Sequence, residues 1–293
     1  MTAITIAVPV FNGETMIRQS LECLRQQTFK DFEVLVFDNA STDTTRDIVN
    51  EFVAADPRFK LIVQPHNKGA LANFVDGLHA ATAPHFLWRA FDDVTDDVFL
   101  AELDAALSST PGAHLANGRV RTLRLDGTKE RFFAPPRLTG IEIIDVLILM
   151  FTSHAGWFYG LWDRTALTAV FDDVMRRFPH PWASDHLILF PLLLDRSLVF
   201  TDKTTFSKYI KRTSAEPRDK SRPPVKEMTA MRRDFSAFCK DAIARQFPHR
   251  PLARAVLRAA LLIYVDKRVY RMQSVARIAV TEALTGARST PQS

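Results

Sequence analysis

The fold is decided by one apolar stretch, Phe32-Glu33-Val34-Leu35-Val36-Phe37, which ends in the polar pair Asp38-Asn39. A run that is apolar almost throughout is typical of a strand covered on both faces, as strands are in parallel sheets. Comparable runs lie at residues 4–10, 61–63 and 86–91, and segments with helical spacing lie between them at 14–27, 46–55 and 69–81. This alternation predicts an α/β domain with a mostly parallel, doubly wound sheet flanked by helices.

The alternation of strands and helices loosens after residue 111. Residues 119–125 and 130–133 predict a hairpin around the turn dipeptide Asp126-Gly127. Helices are predicted at 141–151 and 185–194, a strand at 198–201, a flexible loop at 213–224 and a basic helical tail at 228–284. We therefore divide the chain into residues 1–110, 111–212 and a helical, basic C-terminal extension at 213–293.

Composition limits the class of protein. The chain has 293 residues, of which 47% are hydrophobic, so it can bury a sizeable core. Its two cysteines, Cys23 and Cys239, lie far apart and indicate a reducing compartment without a disulfide framework. We predict no signal peptide, and the apolar runs at 146–151 and 259–265 are too short to span a bilayer. The expected location is cytoplasmic.

Charge is distributed unevenly along the chain. Residues 203–290 hold 20 Lys/Arg and 7 Asp/Glu, whereas the rest hold 18 and 26. A basic tail on an acidic body suggests an anionic partner, although a solvated helical surface explains the tail equally well. The apolar run at 259–265 resembles an interfacial helix, because basic residues flank it at Arg254, Arg258, Lys267, Arg268 and Arg271. We therefore predict peripheral contact with the anionic inner face of the plasma membrane, and no nucleic-acid binding, since the acidic body would oppose it.

Polar residues follow the predicted strands at their carboxyl ends, where α/β sheets bind ligands. Asn12 follows the first strand, Asp38 ends the second, Asn67 follows the third and Asp92-Asp93 follow the fourth. Two adjacent carboxylates repel each other unless a cation joins them, and a divalent metal carrying a diphosphate would do so. The alternative for the acidic pair is a solvated turn or a helix N-cap.

Two further acidic or hydroxyl side chains in the loop after the second strand have a simpler explanation. Ser41 and Asp43 precede a predicted helix, and residues of these types commonly cap helices. For Asp38 we favour hydrogen bonding to a base or ribose, because it ends an apolar strand and an ionised carboxylate is an acceptor only.

Several linked motifs resemble the family 2 glycosyltransferases, and the resemblance extends over residues 4–105. In chain order these motifs are Val8-Pro9-Val10-Phe11-Asn12-Gly13-Glu14, Gln27-Thr28-Phe29, Asp38-Asn39-Ala40-Ser41-Thr42-Asp43, Asn67-Lys68-Gly69 and Asp92-Asp93. The resemblance implies the Rossmann-like GT-A fold, a nucleotide-diphosphate sugar as donor and an inverting reaction.

The resemblance also implies roles for single residues. The nucleotide-sugar site would comprise Pro9, Phe11, Glu14, Asp38, Asn67 and Asp92. Asp92 and Asp93 match an Asp-x-Asp-like motif that binds Mn²⁺ or Mg²⁺, with Asp93 as the direct ligand. The chain departs from the family at Ala90 and Asn39, where many members carry Asp.

The second half resembles the family less, and one segment matches its catalytic base, Trp182-Ala183-Ser184-Asp185-His186. Asp185 would deprotonate the acceptor hydroxyl, which becomes acidic as the new bond forms. The metal would stabilise the leaving diphosphate, and attack opposite that group would invert the anomeric centre. An N-cap role for Asp185 is compatible with this one.

The acceptor side is predicted at His154, Trp157, Trp182 and His186, although packing explains each of them as well. We expect a hexosyltransferase-type enzyme that acts on a hydroxyl of a glycan or polyisoprenyl-linked acceptor in bacterial surface polysaccharide synthesis. A non-catalytic nucleotide-sugar-binding protein and a nucleotidyltransferase are the alternatives.

Overall fold

A computed structural model of the chain describes residues 2–124, 130–180, 183–210 and 223–285. The turn predicted at Asp126-Gly127, the acceptor candidate Trp182 and most of the loop predicted at 213–224 lie outside these residues. The chain forms two compact units that alternate along the sequence. The first contains Met1–Arg137, His154–Asp172 and Arg196–Ser214, and the second contains Leu138–Ser153, Asp173–Asp195 and Ala215–Ser293.

The first unit is built on a mixed sheet of nine strands. Its strands are β1 Ile4–Val10, β2 Phe32–Asp38, β3 Phe59–Val63, β4 His85–Trp88, β5 Val94–Thr95, β6 Leu115–Arg124, β7 Glu130–Phe133, β8 Leu161–Asp163 and β9 Leu198–Ile210. They are arranged in the order β3-β2-β1-β4-β8-β6-β9-β5, and β7 pairs with β6. The pairs β3-β2, β2-β1 and β1-β4 are parallel, as the alternating sequence pattern predicts.

Helices connect and cover the strands. Those of the first unit are α1 Ile17–Arg25, α2 Thr45–Ala55, α3 Ala70–His79 and α4 Phe99–Ser109, while α6 Arg164–Arg177 continues into the second unit. The second unit contains α5 Glu142–Thr152, α7 Ser184–Asp195, α8 Val225–Gln246, α9 Pro251–Arg268 and α10 Met272–Thr285. Within the described ranges, none of these helices combines the length and apolarity that a bilayer span requires.

The core of the first unit is assembled from the apolar strands. All seven residues of β1 are buried, in agreement with a strand covered on both faces. Trp88, the last residue of β4, stacks on Phe158 with 4.6 Å between ring centroids and meets Phe86 edge-on at 4.7 Å. This packing fixes the end of β4, from which the acidic pair extends.

Three predicted boundaries were wrong. Helix α1 begins at Ile17 rather than residue 14, because Gly13 and Glu14 donate their N–H groups to side chains of another loop. Strand β4 ends at Trp88 rather than residue 91, because the chain turns where the Asp93 N–H bonds to the Ala90 carbonyl. Strand β9 continues to residue 210 rather than 201, because it pairs with β6 beyond a register shift that no local pattern reveals.

Candidate active site

A cavity of about 390 Å³ in the first unit is lined by residues that follow or end β1, β2 and β4. This volume falls in the range of small-molecule sites. Four residues predicted for the donor site, Pro9, Phe11, Asn67 and Asp92, line the cavity together. These four residues therefore lie around one cavity, and their roles in donor binding stay predictions.

One wall of the cavity is aromatic and apolar. Phe11 lines it with 42% of its surface exposed, and Phe74 and Phe91 contribute further ring surface. A wall of this kind suits a planar ring, while Asp92 in the same lining supplies a carboxylate. The cavity thus offers both an apolar surface and a charged group to one ligand.

Two asparagines hold the polar edge of the cavity. The Asn39 side chain donates to Asn67 Oδ1 at 2.8 Å and accepts from the Lys68 N–H at 2.9 Å. Asn67 Oδ1 also accepts from the Gly69 N–H at 2.8 Å. A carboxylate at position 39 could accept but not donate, so the amide accounts for Asn39 at a position where many family members carry Asp.

Asp38 is fully buried and does not belong to the cavity lining. Its carboxylate accepts from Arg46 Nε at 2.6 Å and from the Ser41 N–H at 3.2 Å. These bonds brace the loop that follows β2. A direct contact between Asp38 and a base stays a prediction.

Glu14 lies outside the cavity lining and joins two loops instead. Its carboxylate accepts from Thr44 Oγ1 at 2.8 Å and from the Thr44 N–H at 3.1 Å. In return, Asp43 accepts from the Glu14 N–H at 3.2 Å and from the Thr45 N–H at 3.1 Å. Ser41 Oγ accepts from the Asn12 N–H at 2.9 Å. The loops after β1 and β2 are therefore fastened together. Ser41 does not cap α2 as predicted, because its Oγ bonds to Asn12 and Thr44 is the N-cap, whereas Asp43 does accept from the first N–H of that helix.

Asp93 is buried, and this burial raises the pKa of its carboxyl group to about 7. The neighbouring Asp92 raises the pKa further, whereas Lys208 and Arg89 lower it. One carboxylate oxygen accepts from the Tyr209 N–H at 3.2 Å. The other, Oδ2, is buried without a hydrogen-bond partner among the described residues. When Asp93 is ionised, the described residues around it therefore do not fully compensate its negative charge.

Sequence reasoning missed two cations beside Asp93. Arg89 is buried and donates to Thr95 Oγ1 at 3.0 Å, and burial lowers its pKa to about 10. Lys208 lies on β9, and the residue before it, Ser207, pairs with Val94 of β5. Arg89 could have been found from its position close to the Asp92-Asp93 motif. The position of Lys208 depends instead on the pairing of strands that are distant in sequence.

A divalent metal fits this pair of carboxylates only if its ligand supplies further oxygens. The described residues contain no group of three or more His, Cys, Asp or Glu side chains that could hold a metal by themselves. The unpartnered Asp93 Oδ2 and the cavity-lining Asp92 nevertheless offer oxygen ligands. Mg²⁺ is typically held in this way, by one or two carboxylates together with substrate phosphates.

In the second unit, Asp185 lies in the first turn of α7. Its Oδ1 accepts from the His186 N–H at 2.9 Å, and nearby Ala183 has a left-handed backbone with φ +69°. Burial lowers the pKa of His186 to about 4, an effect that Asp185 opposes and Arg268 reinforces. His186 is therefore neutral near pH 7, and its place on the acceptor side stays a prediction.

The C-terminal helices contribute to the surroundings of Asp185. Arg268, at the end of α9, donates to Ser153 Oγ at 2.8 Å and to the Met150 carbonyl at 3.3 Å. Its guanidinium also lies 5.3 Å from the centroid of the Tyr264 ring. Basic side chains commonly bind the last carbonyls of a helix, and here Arg268 does so for α5. No sequence pattern indicated this contact.

The other acceptor candidates occupy ordinary packing positions. His154 accepts from the Gly156 N–H through Nδ1 at 2.9 Å, and its ring lies 4.3 Å from that of Phe133. Trp157 is buried against Phe200, with 4.8 Å between ring centroids. These contacts explain both residues without an acceptor, whose binding here stays a prediction.

Comparison with known proteins shows the family of this chain. The family model described as Glycosyl transferase family 2 matches residues 5–124. The chain is 30% identical over 198 residues to the UDP-Glc:alpha-D-GlcNAc-diphosphoundecaprenol beta-1,3-glucosyltransferase WfgD of Escherichia coli, over 67% of this chain and 71% of that protein. It spans only 26% to 44% of the first three curated relatives that it matches.

Two solved structures resemble this fold. S. aureus TarS 1–349 in complex with UDP-GlcNAc has a TM-score of 0.57 at 16% identity, over 98% of this chain and 93% of that one. Mannosyltransferase PcManGT from Pyrobaculum calidifontis, in complex with GDP-Man and Mn²⁺, has a TM-score of 0.50 at 16% identity, over 97% and 81%. The predicted α/β fold, similar to GT-A glycosyltransferases such as TarS, and its helical C-terminal region are confirmed. Because the match to the E. coli glucosyltransferase extends over most of both chains, the chain belongs to glycosyltransferase family 2 and is an enzyme of that class.

Proposed function

We propose that the chain transfers a sugar, with inversion, from a nucleotide-diphosphate sugar to a hydroxyl of a glycan or lipid-linked acceptor. One observation carries the proposal: Phe11, Asn67 and Asp92 line one cavity of ligand size within the region that matches the family. Family membership favours this reaction over a nucleotidyltransferase and over a non-catalytic binding protein.

The donor would lie in that cavity. Pro9 and Phe11 offer an apolar surface to the nucleobase, and Asn67 lies at the polar edge. Asp38 and Glu14 would contribute to donor binding through the loops that their hydrogen bonds hold in place. Asp38 is also the proposed hydrogen-bond partner of the nucleobase. We infer a nucleoside diphosphate rather than a free sugar, because an apolar aromatic wall and a carboxylate suited to a metal occur in one lining.

Asp93 and Asp92 would hold Mn²⁺ or Mg²⁺ together with the diphosphate oxygens. A metal so placed supplies positive charge that stabilises the diphosphate as it leaves. Asp93 is suited to this role because its unpartnered, buried oxygen is the strongest uncompensated acceptor of the motif. Lys208 and Arg89 contribute fixed positive charge nearby.

Asp185 is the proposed general base. Asp185 lies in the first turn of α7, where its Oδ1 accepts from the His186 N–H, and a carboxylate can accept the proton of the acceptor hydroxyl as the new bond forms. The oxygen then bonds to the anomeric carbon while the bond to the diphosphate breaks on the opposite side, which inverts that centre. His154, Trp157, Trp182 and His186 remain the proposed acceptor side.

The acceptor class is proposed from the name of the relative WfgD and from the basic charge of the C-terminal helices. The name of WfgD specifies a diphosphoundecaprenol-linked acceptor. We propose an acceptor of that class, used in bacterial surface polysaccharide synthesis by a cytoplasmic enzyme at the inner face of the plasma membrane.

A thermal-shift screen tests the donor proposal. The purified chain is mixed with UDP, GDP, CDP or TDP sugars and with Mn²⁺ or Mg²⁺. A ligand at about 100 times its Kd should add about 2.7 kcal/mol to the free energy of unfolding, so the matching donor should raise Tm clearly. The absence of a shift with every donor and either ion would contradict the proposal.

The base assignment needs its own variant. Asp185→Asn should abolish transfer and leave the donor-induced Tm shift unchanged, because the base acts on the acceptor. Asp195→Asn, at the other end of the same helix, is the matched control and should keep its activity. Transfer by Asp185→Asn at the wild-type rate would overturn the assignment.

A further inference from the structure

Helix α9 is apolar on its outward face as well as on its buried face. Ala253, Leu257, Leu261, Tyr264 and Val265 face inward and are buried. The opposite side exposes four large aliphatic residues: Leu252 at 78%, Val256 at 39%, Leu262 at 71% and Ile263 at 54%. At 100° per residue these four fall on one stripe, about 16 Å long from the first to the last.

Basic side chains border this stripe, which we call the outer stripe of α9. On a helical wheel Arg258 lies along one edge of it and Lys267 lies along the other, whereas Arg254 falls on the inward side. The Lys267 ammonium also lies 5.3 Å from the centroid of the Phe151 ring. Within the described part of the chain, no ion pair involves any of these three residues. The one acidic residue of α9, Asp266, lies 3.1 Å from Arg232 in an ion pair. The outer stripe therefore presents aliphatic surface between unpaired positive charges.

We propose that the outer stripe of α9 docks on an anionic lipid bilayer. A helix that lies in the interface inserts its apolar face by about 5–10 Å, while flanking Lys and Arg side chains bind lipid headgroups. The outer stripe has both features on the same side of one helix.

A second copy of the chain fits the outer stripe less well. Two α9 helices packed antiparallel through this face would bring the edge that carries Arg258 close to its own copy. Like charges placed opposite each other across an interface oppose association. Anionic headgroups instead complement both basic edges at once.

This inference deepens the proposed location at a membrane, and it does not depend on the transferase chemistry. A protein that binds vesicles could lack the proposed activity, and an active enzyme could fail to bind them. Separate measurements of flotation and of sugar transfer therefore distinguish failure of one proposal from failure of the other.

Vesicle flotation of the full chain tests the proposal. The wild type should float with phosphatidylcholine vesicles that contain phosphatidylglycerol, and added salt should release it. Leu252→Ser combined with Leu262→Ser should lower partitioning at least about tenfold, because both side chains would leave the bilayer. Arg258→Gln combined with Lys267→Gln should remove the preference for anionic vesicles. Phe132→Ser, at an aromatic side chain exposed elsewhere, is the matched control and should float normally.

The variants replace outward-facing side chains, so their Tm should equal that of the wild type. The proposal is overturned if the wild type does not float, or if the double leucine variant floats as well as the wild type. It is also overturned if sedimentation shows a dimer that the leucine variant dissociates while neither protein binds vesicles.

Discussion

Replacement of Asp93 by Asn should make the ligand-free protein more stable at alkaline pH. Burial raises the pKa of Asp93 from 3.8 to about 7, so in this pH range the folded chain holds a proton that the unfolded chain has lost. A group of this kind lowers the free energy of unfolding as pH rises from about 4 to about 7, and its effect is constant above that. The free energy of unfolding of the wild type is therefore lowered as pH rises, whereas an amide at position 93 causes no such loss.

The size of this cost follows from the pKa. One pKa unit corresponds to about 1.4 kcal/mol, so a rise of roughly three units gives about 4 kcal/mol above pH 7. At pH 4 the protonated carboxyl and the amide of the variant are both neutral and of nearly the same shape, although the carboxyl has one donor and the amide has two. The two proteins should therefore be nearly equally stable at pH 4, and Asp93→Asn should be more stable by about 4 kcal/mol at pH 8.

Urea unfolding between pH 4 and pH 8 measures this difference. Fluorescence of Trp88 and Trp162, both buried in the same unit as Asp93, reports on the relevant transition. Asp97→Asn, at an exposed carboxylate four residues along the chain, is the control for loss of a surface charge and should unfold as the wild type does. A wild type more stable than Asp93→Asn at pH 8, or a difference independent of pH, would refute the reasoning.

Two further predictions concern the neighbours of the site. Lys208→Met should raise the pKa of Asp93 further, because the ammonium group lowers it, so the loss of stability with rising pH should continue above pH 7 in urea unfolding; an unchanged pH profile would contradict this. Asn39→Ala should cost about 1–3 kcal/mol in urea unfolding and weaken donor binding in a titration, because Asn67 and the Lys68 N–H lose their partner. Asn39→Asp, which keeps the acceptor for Lys68, should cost less, and equal costs for the two variants would count against this account.

Local pattern was sufficient to predict the parallel half of the sheet. In β1 and β2 the apolar runs are long enough to specify a strand covered on both faces, and the helices between them show regular spacing. The cavity residues Pro9, Phe11, Asn67 and Asp92 could be predicted because their motifs lie close to those strands. Their positions depend on contacts that the chain makes within short segments.

Local pattern does not decide the direction in which a carboxylate points. Glu14 and Asp38 belong to the same motifs, but their carboxylates bond to Thr44 and Arg46 rather than lining the cavity. A motif fixes the identity and order of residues, whereas the direction of a carboxylate is set by the donors that the folded loops bring to it.

The sequence by itself determined the α/β class, the family motifs and the order of the strand ends that carry them. Tertiary structure alone decided that Asp93 is buried and that Lys208 lies near it, and that α9 turns a second apolar face outward. The physical reason is that periodicity reports how each segment divides its polar and apolar faces. Burial, and with it the energy of a charge, depends on which distant segments pack around a residue.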